Sequence, residues 1–327
     1  MSSLGISLWV VIVPFIVAFA AGVVQGPVVI PFLRRLKASQ TERSYLESHV
    51  AKNGTPTMGG VMILLAFFLG TIIYAPSHPK VIPVLVLTIG FGLIGFIDDF
   101  LKVVLRRPDG LIAWQKMLLQ IIVTTVFCVY LIYYTDVNLE LMVPFSGGFS
   151  LDLGWVAVPI LYFAVIGTVN GTNFTDGLDG LASSVTLIVA LFFTVASILL
   201  GGELEPVSAA MMGALAAFLV FNHYPAKIFM GDTGSLALGG YVAGVAYLLQ
   251  MPLFILIVGF IYLLEVVSVI LQVGSFKITH GKKRIFRMAP IHHHFEKGGW
   301  SEIRIVITFT LITVVLCVLG IIGLKGF

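Results

Sequence analysis

The chain has 327 residues, of which 58% are hydrophobic and 11% are charged, and its mean hydropathy is +1.05. This composition excludes a water-soluble globular domain and is typical of an integral membrane protein. The formal net charge of +3 gives no reason to expect a nucleic-acid partner, because membrane topology explains the basic residues, as described below.

Apolar runs recur along the whole chain and leave no room for a separate soluble domain. Each crossing of a bilayer needs about 20 residues, whereas a β-barrel would show alternating segments of about ten residues. We therefore predict an all-α integral membrane fold, a polytopic bundle of about ten transmembrane helices that forms one domain over residues 1–327. The helices are expected at 7–33, 59–75, 82–104, 112–134, 153–171, 179–200, 206–221, 234–249, 252–275 and 303–324.

The distribution of basic residues predicts the orientation of this bundle. With ten spans, one set of loops contains all of the Lys and Arg residues except Lys80 and Lys325. Basic loops stay on the cytoplasmic side of a membrane, so both termini are expected on the extracytoplasmic side. The first apolar run continues to about Leu33, which is too long for the apolar part of a signal peptide.

Two polar segments flank the second and third predicted spans. The entry to the second span reads GTPTMGG (54–60), and it could place Lys52 and Thr57 beside a substrate or simply form a helix-entry turn. The third span ends with the adjacent acids Asp98 and Asp99. Neighbouring residues on a helix point about 100° apart, so we expect one carboxylate near a metal and the other directed at a proton or nucleophile. Compensation by Lys102 and Arg106 is the alternative structural explanation.

The fifth and sixth spans are joined by GTVNGTNFTDGLDGLASS, in which Asp176 and Asp179 share a helix face if both lie on a first turn. Asn170 and Asn173 add neutral hydrogen-bonding groups. The segment lacks the spacing and the closing Glu of an EF-hand. Helix capping explains one of these acids easily, but two acids and two amides indicate a binding function.

Residues 221–240, FNHYPAKIFMGDTGSLALGG, form a short polar segment between two apolar runs. A charged residue at the centre of a bilayer needs a partner or a water-filled cavity, so Asp232 is expected at the end of a helix. Asn222 and Phe229 add an amide and an aromatic ring. This combination suits a metal-bound phosphate and a stacked base, although a well-capped loop is an equal alternative.

The last long polar loop carries PIHHHFE (290–296) among many basic residues. No cysteine accompanies His292, His293 and His294, so a zinc site is not favoured. Histidines beside lysine and arginine suit a diphosphate better, while a loop held by anionic lipid is the alternative. Glu265 is the only acid well inside a predicted span, and such a carboxylate is either functional or a structural hydrogen-bonding group.

Every acidic cluster is expected on the cytoplasmic side at a helix end. Oxygen ligands without cysteine favour a hard cation such as Mg²⁺. A transporter would place its polar groups near the middle of the membrane on broken helices. Chemistry on a lipid at the membrane surface is therefore favoured, and a transporter or flippase with an anion gate remains the second hypothesis.

Five motifs in order resemble those of the phospho-N-acetylmuramoyl-pentapeptide transferases, a family of polyprenyl-phosphate N-acetylhexosamine-1-phosphate transferases. The motifs are GTPTMGG (54–60), DDFLK (98–102), NFTDGLDGL (173–181), NHYPAKIFMGDTGS (222–235) and PIHHHFE (290–296). The resemblance implies transfer of phospho-MurNAc-pentapeptide from UDP-MurNAc-pentapeptide to undecaprenyl phosphate, which gives lipid I and UMP in peptidoglycan synthesis. It also implies Mg²⁺, a bacterial inner-membrane location with a cytoplasmic active site, and a homodimer. An enzyme of the same fold that uses UDP-GlcNAc is the third hypothesis. The triple-histidine motif favours the muramoyl substrate over UDP-GlcNAc.

The resemblance also implies roles for individual residues. Asp232 is expected to bind Mg²⁺, with Asp176 as a second metal ligand, and Phe229 to stack on uracil. Asp98 is the expected base, supported by Asp99 and Asp176, and the three histidines are expected on the sugar-diphosphate side. A one-step transfer and a path through a phospho-enzyme both remain open. The other expected substrate-binding residues are Lys52, Thr57, Asn170, Asn173, Asp176, Asp179 and Asn222.

Overall fold

The computed structural model describes residues 8–36, 54–107, 109–135, 137 and 139–327, and they form a bundle of helices. Eight of these helices are long and apolar enough to cross a membrane, which confirms the predicted all-α polytopic membrane fold. The side of the membrane that each terminus faces stays a prediction. The long helices are α1 (Trp9–Arg35), α3 (Val81–Val103), α4 (Ala113–Tyr134), α5 (Ala157–Thr175), α6 (Leu181–Leu200), α7 (Glu205–Asn222), α10 (Phe260–Ile278) and α12 (Glu302–Gly323).

Two further helices lie where the remaining spans were predicted. Helix α2 (Gly60–Ile72) is apolar but shorter than the others. Helix α8 (Gly231–Leu248) is buried along its entire length from Thr233 onward. It packs against α3, α5 and α2, and its many Gly and Ala residues permit such close contact with several neighbours. Helix α8 is thus the central element of the bundle.

Glycines set how closely the neighbouring helices approach the start of α8. A Cβ atom on Gly95 of α3 would overlap the backbone carbonyl of Asp232. A Cβ atom on Gly60 of α2 would overlap the backbone of Gly234. Only glycine fits backbone contacts this close. These contacts bring the end of α3 and the start of α2 to the first turn of α8.

The ninth predicted span is not continuous. A 3₁₀ turn (Pro252–Phe254) leads into the four-residue helix α9 (Ile255–Val258), and α10 begins after Gly259. Gly has the poorest helix propensity apart from Pro, and the Gly259 backbone (φ −95°, ψ 19°) departs from helical values. The hydrophobic pattern predicted a span over 252–275 but could not show this break.

Two smaller elements complete the described fold. The loop after α4 contains a short antiparallel hairpin, β1 (Leu141–Met142) with β2 (Ser150–Leu151), in which Leu141 is opposite Leu151. The triple-histidine segment forms the short helix α11 (Ile291–Glu296). Helix α11 packs against α10 and α12, so the histidines are held at the end of the bundle.

Candidate active site at the helix ends

Asp232 is the residue on which several helices converge. It lies in the first turn of α8, where an acid interacts favourably with the helix dipole. Its Oδ2 atom accepts hydrogen bonds from Lys102 Nζ at 3.1 Å and Lys116 Nζ at 2.9 Å. Its Oδ1 atom accepts a hydrogen bond from Asn173 Nδ2 at 2.8 Å. Side chains from α3, α4 and α5 therefore hold this carboxylate.

Asp98 shares the same two lysines. Lys102 Nζ donates to Asp98 Oδ2 at 2.7 Å, and Lys116 Nζ lies 3.7 Å from the same oxygen. The backbone N–H of Leu111 donates to Asp98 Oδ1. The contact with Lys102 was one of the two explanations that the sequence offered for this acid. The result is a pair of carboxylates bridged by a pair of ammonium groups, an arrangement that can exchange partners with a phosphate.

Asp99 points in a different direction from Asp98. Its Oδ1 atom accepts the backbone N–H of Asp232 at 3.1 Å. Its Oδ2 atom accepts both the backbone N–H and the hydroxyl of Thr233, at 2.9 and 2.6 Å. The side chain is fully buried. Asp99 therefore caps the start of α8 from a neighbouring helix, a role that the spacing alone could not distinguish from catalysis.

A polar cavity of about 170 Å³ opens beside Asp232. It is lined by residues from the loops that precede α2, α6 and α8, from the ends of α5 and α7, and from the first turn of α8. Seven of the residues predicted to bind substrate or metal lie in its wall, which brings motifs far apart in the sequence into one site. They are Thr57, Asn173, Asp176, Asp179, Asn222, Phe229 and Asp232.

Asp176 is a carboxylate of this wall that lies in an unfavourable electrostatic environment. Burial raises the pKa of Asp176 well above its ordinary value, and the negative charges of Asp232, Asp99 and Asp179 raise it further. Crowded acids of this kind are stabilised in ionised form when a cation binds between them. Asp179 is nearby but held by the loop before α8, because Ala226 N donates to its Oδ2 atom at 2.9 Å.

Backbone hydrogen bonds position Thr57 and Phe229. Phe229 N donates to Pro56 O at 2.8 Å, and Gly59 N donates to Phe229 O at 2.9 Å. The segment before α2 thus pairs with the segment before α8 at the cavity. The Thr57 hydroxyl is buried and has no hydrogen-bond partner among the described residues. The Phe229 ring is half-buried, so a planar group in the cavity can reach it.

Asn222 lines the cavity, but protein groups use its amide. Its Oδ1 atom accepts from Gly180 N at 3.1 Å and Ser183 Oγ at 3.2 Å. Its Nδ2 atom donates to Ile228 O at 2.9 Å. Asn222 therefore ties the end of α7 to the start of α6 and to the loop before α8.

The three histidines of α11 have different surroundings. His292 is buried, and its Nδ1 atom lies 3.1 Å from Glu265 Oε1. His293 Nδ1 lies 2.9 Å from Glu296 Oε2. His294 accepts a hydrogen bond at Nδ1 from the backbone N–H of Arg287. None of the three lines the cavity beside Asp232, so their expected contact with the diphosphate stays a prediction.

One of the residues predicted to bind substrate, Asn170, does not line the cavity in the described part of the chain. Asn170 lies one turn below its rim, where Nδ2 donates to Gln120 Oε1 at 3.0 Å and to Ile166 O at 2.8 Å. This position indicates a structural link between α5 and α4. Lys52 lies outside the residues that the structure describes.

Sequence reasoning missed Lys116 and Thr233 as parts of the site. Lys116 stands in the first turn of α4, in an otherwise apolar helix. A lone lysine at the start of an apolar span is usually a topological signal, so only its proximity to Asp98 and Asp232 reveals another use. Thr233 belongs to a recognised motif, but its bond to Asp99 depends on how α3 packs against α8.

The donor set at the cavity fits a hard cation. Among the described residues no three His, Cys, Asp or Glu side chains are grouped to hold a metal ion by themselves. Mg²⁺ is usually bound by one or two carboxylates and completed by water and substrate phosphates. Asp176 and Asp232 supply two carboxylates to one cavity wall, and Asn173 adds an amide.

A helical membrane bundle with carboxylates, lysines and a polar cavity at its helix ends defines a membrane enzyme that handles phosphate groups. A family model, glycosyl transferase family 4, matches residues 81–250, and a phospho-N-acetylmuramoyl-pentapeptide-transferase signature matches residues 52–64. The chain belongs to the phospho-N-acetylmuramoyl-pentapeptide-transferase family.

Curated relatives with this name support the assignment. The relative from Acetivibrio thermocellus is 49% identical over 95% of this chain and 94% of its own. The relative from Clostridium novyi is 47% identical over 94% of this chain and 95% of its own length. The relative from Clostridioides difficile is 45% identical over 94% of this chain and 96% of its own length. Such similarity over nearly full length confirms the family that the five motifs indicated.

Proposed function

We propose that this protein transfers phospho-MurNAc-pentapeptide from UDP-MurNAc-pentapeptide to undecaprenyl phosphate, which yields lipid I and UMP for peptidoglycan synthesis. Its relatives are named for this transferase activity. The structural observation that supports the proposal most directly is the bridging of Asp98 and Asp232 by Lys102 and Lys116 beside the polar cavity. The enzyme is a glycosyl-1-phosphate transferase in a multi-pass membrane protein of the bacterial inner membrane.

The reaction exchanges one phosphorus–oxygen bond for another. An oxygen of undecaprenyl phosphate attacks the sugar-linked phosphorus of the UDP donor, and the bond from this phosphorus to UMP breaks. Such transfers depend mainly on positioning and on neutralising the charge of the phosphate oxygens. Lys102 and Lys116 carry the positive charge available next to Asp98 and Asp232, and both can move to phosphate oxygens without leaving the site.

Magnesium is the metal that the donor set supports. Asp232 and Asp176 would hold it, with Asn173 beside them. When bound, it would neutralise diphosphate oxygens and make UMP a better leaving group. The hydrogen bond from Asn173 to Asp232 Oδ1 fixes the orientation of this carboxylate before substrate arrives.

The proposed substrate contacts follow the cavity wall. Phe229 would stack on the uracil, and Thr57, Asn173, Asp176 and Asp179 would contact the nucleotide portion. Asn222, which also lines the cavity, is proposed on the same side. Lys52 is proposed there from the resemblance alone, and the histidines of α11 are proposed on the side of the sugar diphosphate.

Asp98 would accept the acceptor's proton, with Asp99 supporting it. A phosphate monoester titrates near pH 6, so most of the acceptor is already ionised at neutral pH. The base therefore contributes less to the rate than the charge-neutralising groups. Asp98 would lie next to the attacking oxygen and keep its hydrogen bond from Lys102.

The active site is proposed to face the cytoplasm. The concentration of basic residues in one set of loops supports this orientation, and the UDP donor is a soluble nucleotide. The acceptor is a membrane lipid, so a site at the ends of membrane helices can reach both substrates. A homodimer is proposed from the resemblance, and no nucleic-acid partner is expected.

The test is UMP release by the purified protein with undecaprenyl phosphate and Mg²⁺. UDP-MurNAc-pentapeptide is compared with UDP-GlcNAc, and EDTA is added to a parallel reaction. We expect release only with the muramoyl donor, abolished by EDTA and restored by excess Mg²⁺. Release with UDP-GlcNAc alone would contradict the proposed donor, and movement of a lipid without UMP release by folded protein would favour a transporter.

A further inference from the structure

Glu265 is a buried acid that the proposed reaction does not use. It lies in α10, is fully buried, and its Oε1 atom lies 3.1 Å from Nδ1 of His292. His292 is itself 1% exposed. A carboxylate within a membrane helix is costly and usually serves a function. The contact joins the long helix α10 to the short helix α11.

The far atom of each partner has no hydrogen bond. Glu265 Oε2 and His292 Nε2 are buried and have no hydrogen-bond partner among the described residues. Leaving a buried polar atom without a partner is costly, because the atom loses its hydrogen bonds to water and gains none in return. A contact that only stabilised the fold would be expected to satisfy these atoms, so the pair demands another explanation.

The wall of the cavity beside Asp232 lies next to His292. A Cβ atom on Gly177 would overlap Nε2 and Cε1 of His292. The imidazole edge therefore rests against the backbone of Gly177. Gly177 and its neighbour Asp176 both line the cavity beside Asp232. A continuous line of contacts thus runs from Glu265 through His292 to the wall that carries Asp176.

We propose that Glu265 is a positioning residue of the active site. It accepts a hydrogen bond from Nδ1–H of His292 and fixes the plane of the imidazole. His292 in turn holds the Asp176–Gly177 backbone in place and so positions the Asp176 carboxylate. This inference rests on the transferase function proposed above, because it assigns Glu265 a role in that reaction.

The alternative is that Glu265 only connects two helices. The adjacent helical turn provides a comparison, because Tyr262 of α10 forms a buried hydrogen bond with Thr186 of α6, 2.8 Å long. This bond also links α10 to a neighbouring helix, but it does not touch His292. A general loosening of α10 would follow from loss of either bond, whereas displacement of the cavity wall would follow only from loss of the Glu265 contact.

The test compares Glu265→Leu, Glu265→Gln and the matched control Tyr262→Phe in full-length detergent-purified protein. Glutamine keeps an oxygen that can accept from Nδ1–H, whereas leucine does not. We expect Glu265→Leu to lower kcat by about 30- to 100-fold, as a displacement of about 1 Å does. Glu265→Gln should stay within about fivefold and Tyr262→Phe within about twofold of wild type.

Hydrogen–deuterium exchange supplies a readout independent of turnover. In Glu265→Leu the backbone amides of residues 176–180 should exchange at least tenfold faster, while those in Tyr262→Phe should exchange as in wild type. Equal exchange in both variants, or equal kcat in both, would overturn the inference. Loss of kcat in Glu265→Gln as large as in Glu265→Leu would also overturn it, since charge rather than orientation would then matter.

Gly177→Ala tests the same line of contacts from its other end and remains useful if Glu265→Leu does not fold. The added methyl group should displace the His292 ring and lower kcat about 30-fold with Glu265 intact. Combined with Glu265→Leu it should cause little further loss, because both changes break one linkage. Additive losses would contradict the proposal. Wild-type UMP release in the same assay tests the transferase function separately.

Discussion

Replacement of Asp99 tests whether this acid acts through the position of α8. In Asp99→Ala, the backbone N–H groups of Asp232 and Thr233 and the Thr233 hydroxyl all lose their acceptor. Each buried group left unsatisfied costs about 1–3 kcal/mol. Because the first turn can relax, we expect a total loss of about 3–5 kcal/mol in the free energy of unfolding. Asp99→Asn retains one acceptor oxygen and should lose about 1–3 kcal/mol.

Turnover should fall together with stability, since the first turn of α8 carries Asp232. A shift of about 1 Å there should lower kcat by about 100-fold. Thermal unfolding in detergent and UMP release are measured on the same preparations. Thr233→Val, which removes only the hydroxyl donor, is the graded control and should give an intermediate loss in both. If Asp99→Ala lost turnover with an unchanged melting temperature, Asp99 would act in the chemistry and the capping argument would be refuted.

Three further comparisons of variants test the site. Asp232→Asn should lower kcat by about 1,000-fold, more than Lys52→Ala does; comparable losses in the UMP assay would contradict this ranking. Lys116→Met removes one of the two cations beside Asp98 and Asp232 and should lower kcat about 100-fold. Lys116→Arg, which retains the charge, is the control. Equal losses of kcat in both variants would contradict the role of this charge. Gly95→Ala forces α3 away from the Asp232 carbonyl and should cost about 1–3 kcal/mol in stability and most of the turnover. Gly167→Ala, where a Cβ meets open space, should change neither quantity.

The helices were largely predictable because they are long and apolar. The stretch Val81–Val103 was expected at 82–104, and Ala113–Tyr134 at 112–134. Hydrophobic length in a membrane is a strong local signal, since every backbone polar group must be paired within the helix. The break at Gly259 was not predictable in this way, because it depends on local backbone geometry within an apolar run.

The members of the site were predictable in part. Polar residues between apolar runs identified Asp176, Asp232 and Phe229, which the structure brings to one cavity. Asn170 belongs to the same polar run but contacts Gln120 instead of the cavity. It lies one helical turn before Asn173 on α5, and this difference in position separates the two residues. Lys116 could not be assigned to the site from its position at the start of an apolar span, because its contact with Asp232 spans 116 residues of sequence.

Composition and the order of the motifs determined the class of protein, the number of apolar segments and the family. These properties depend on local hydrophobicity and on residue identity, both of which are read directly from the chain. The tertiary structure decided which of two adjacent acids joins the lysines and which caps a helix. It also decided that Glu265 meets His292. Such choices depend on helix rotation and on the close approach of Gly60, Gly95 and Gly177 to their neighbours, which arise only when the whole bundle packs.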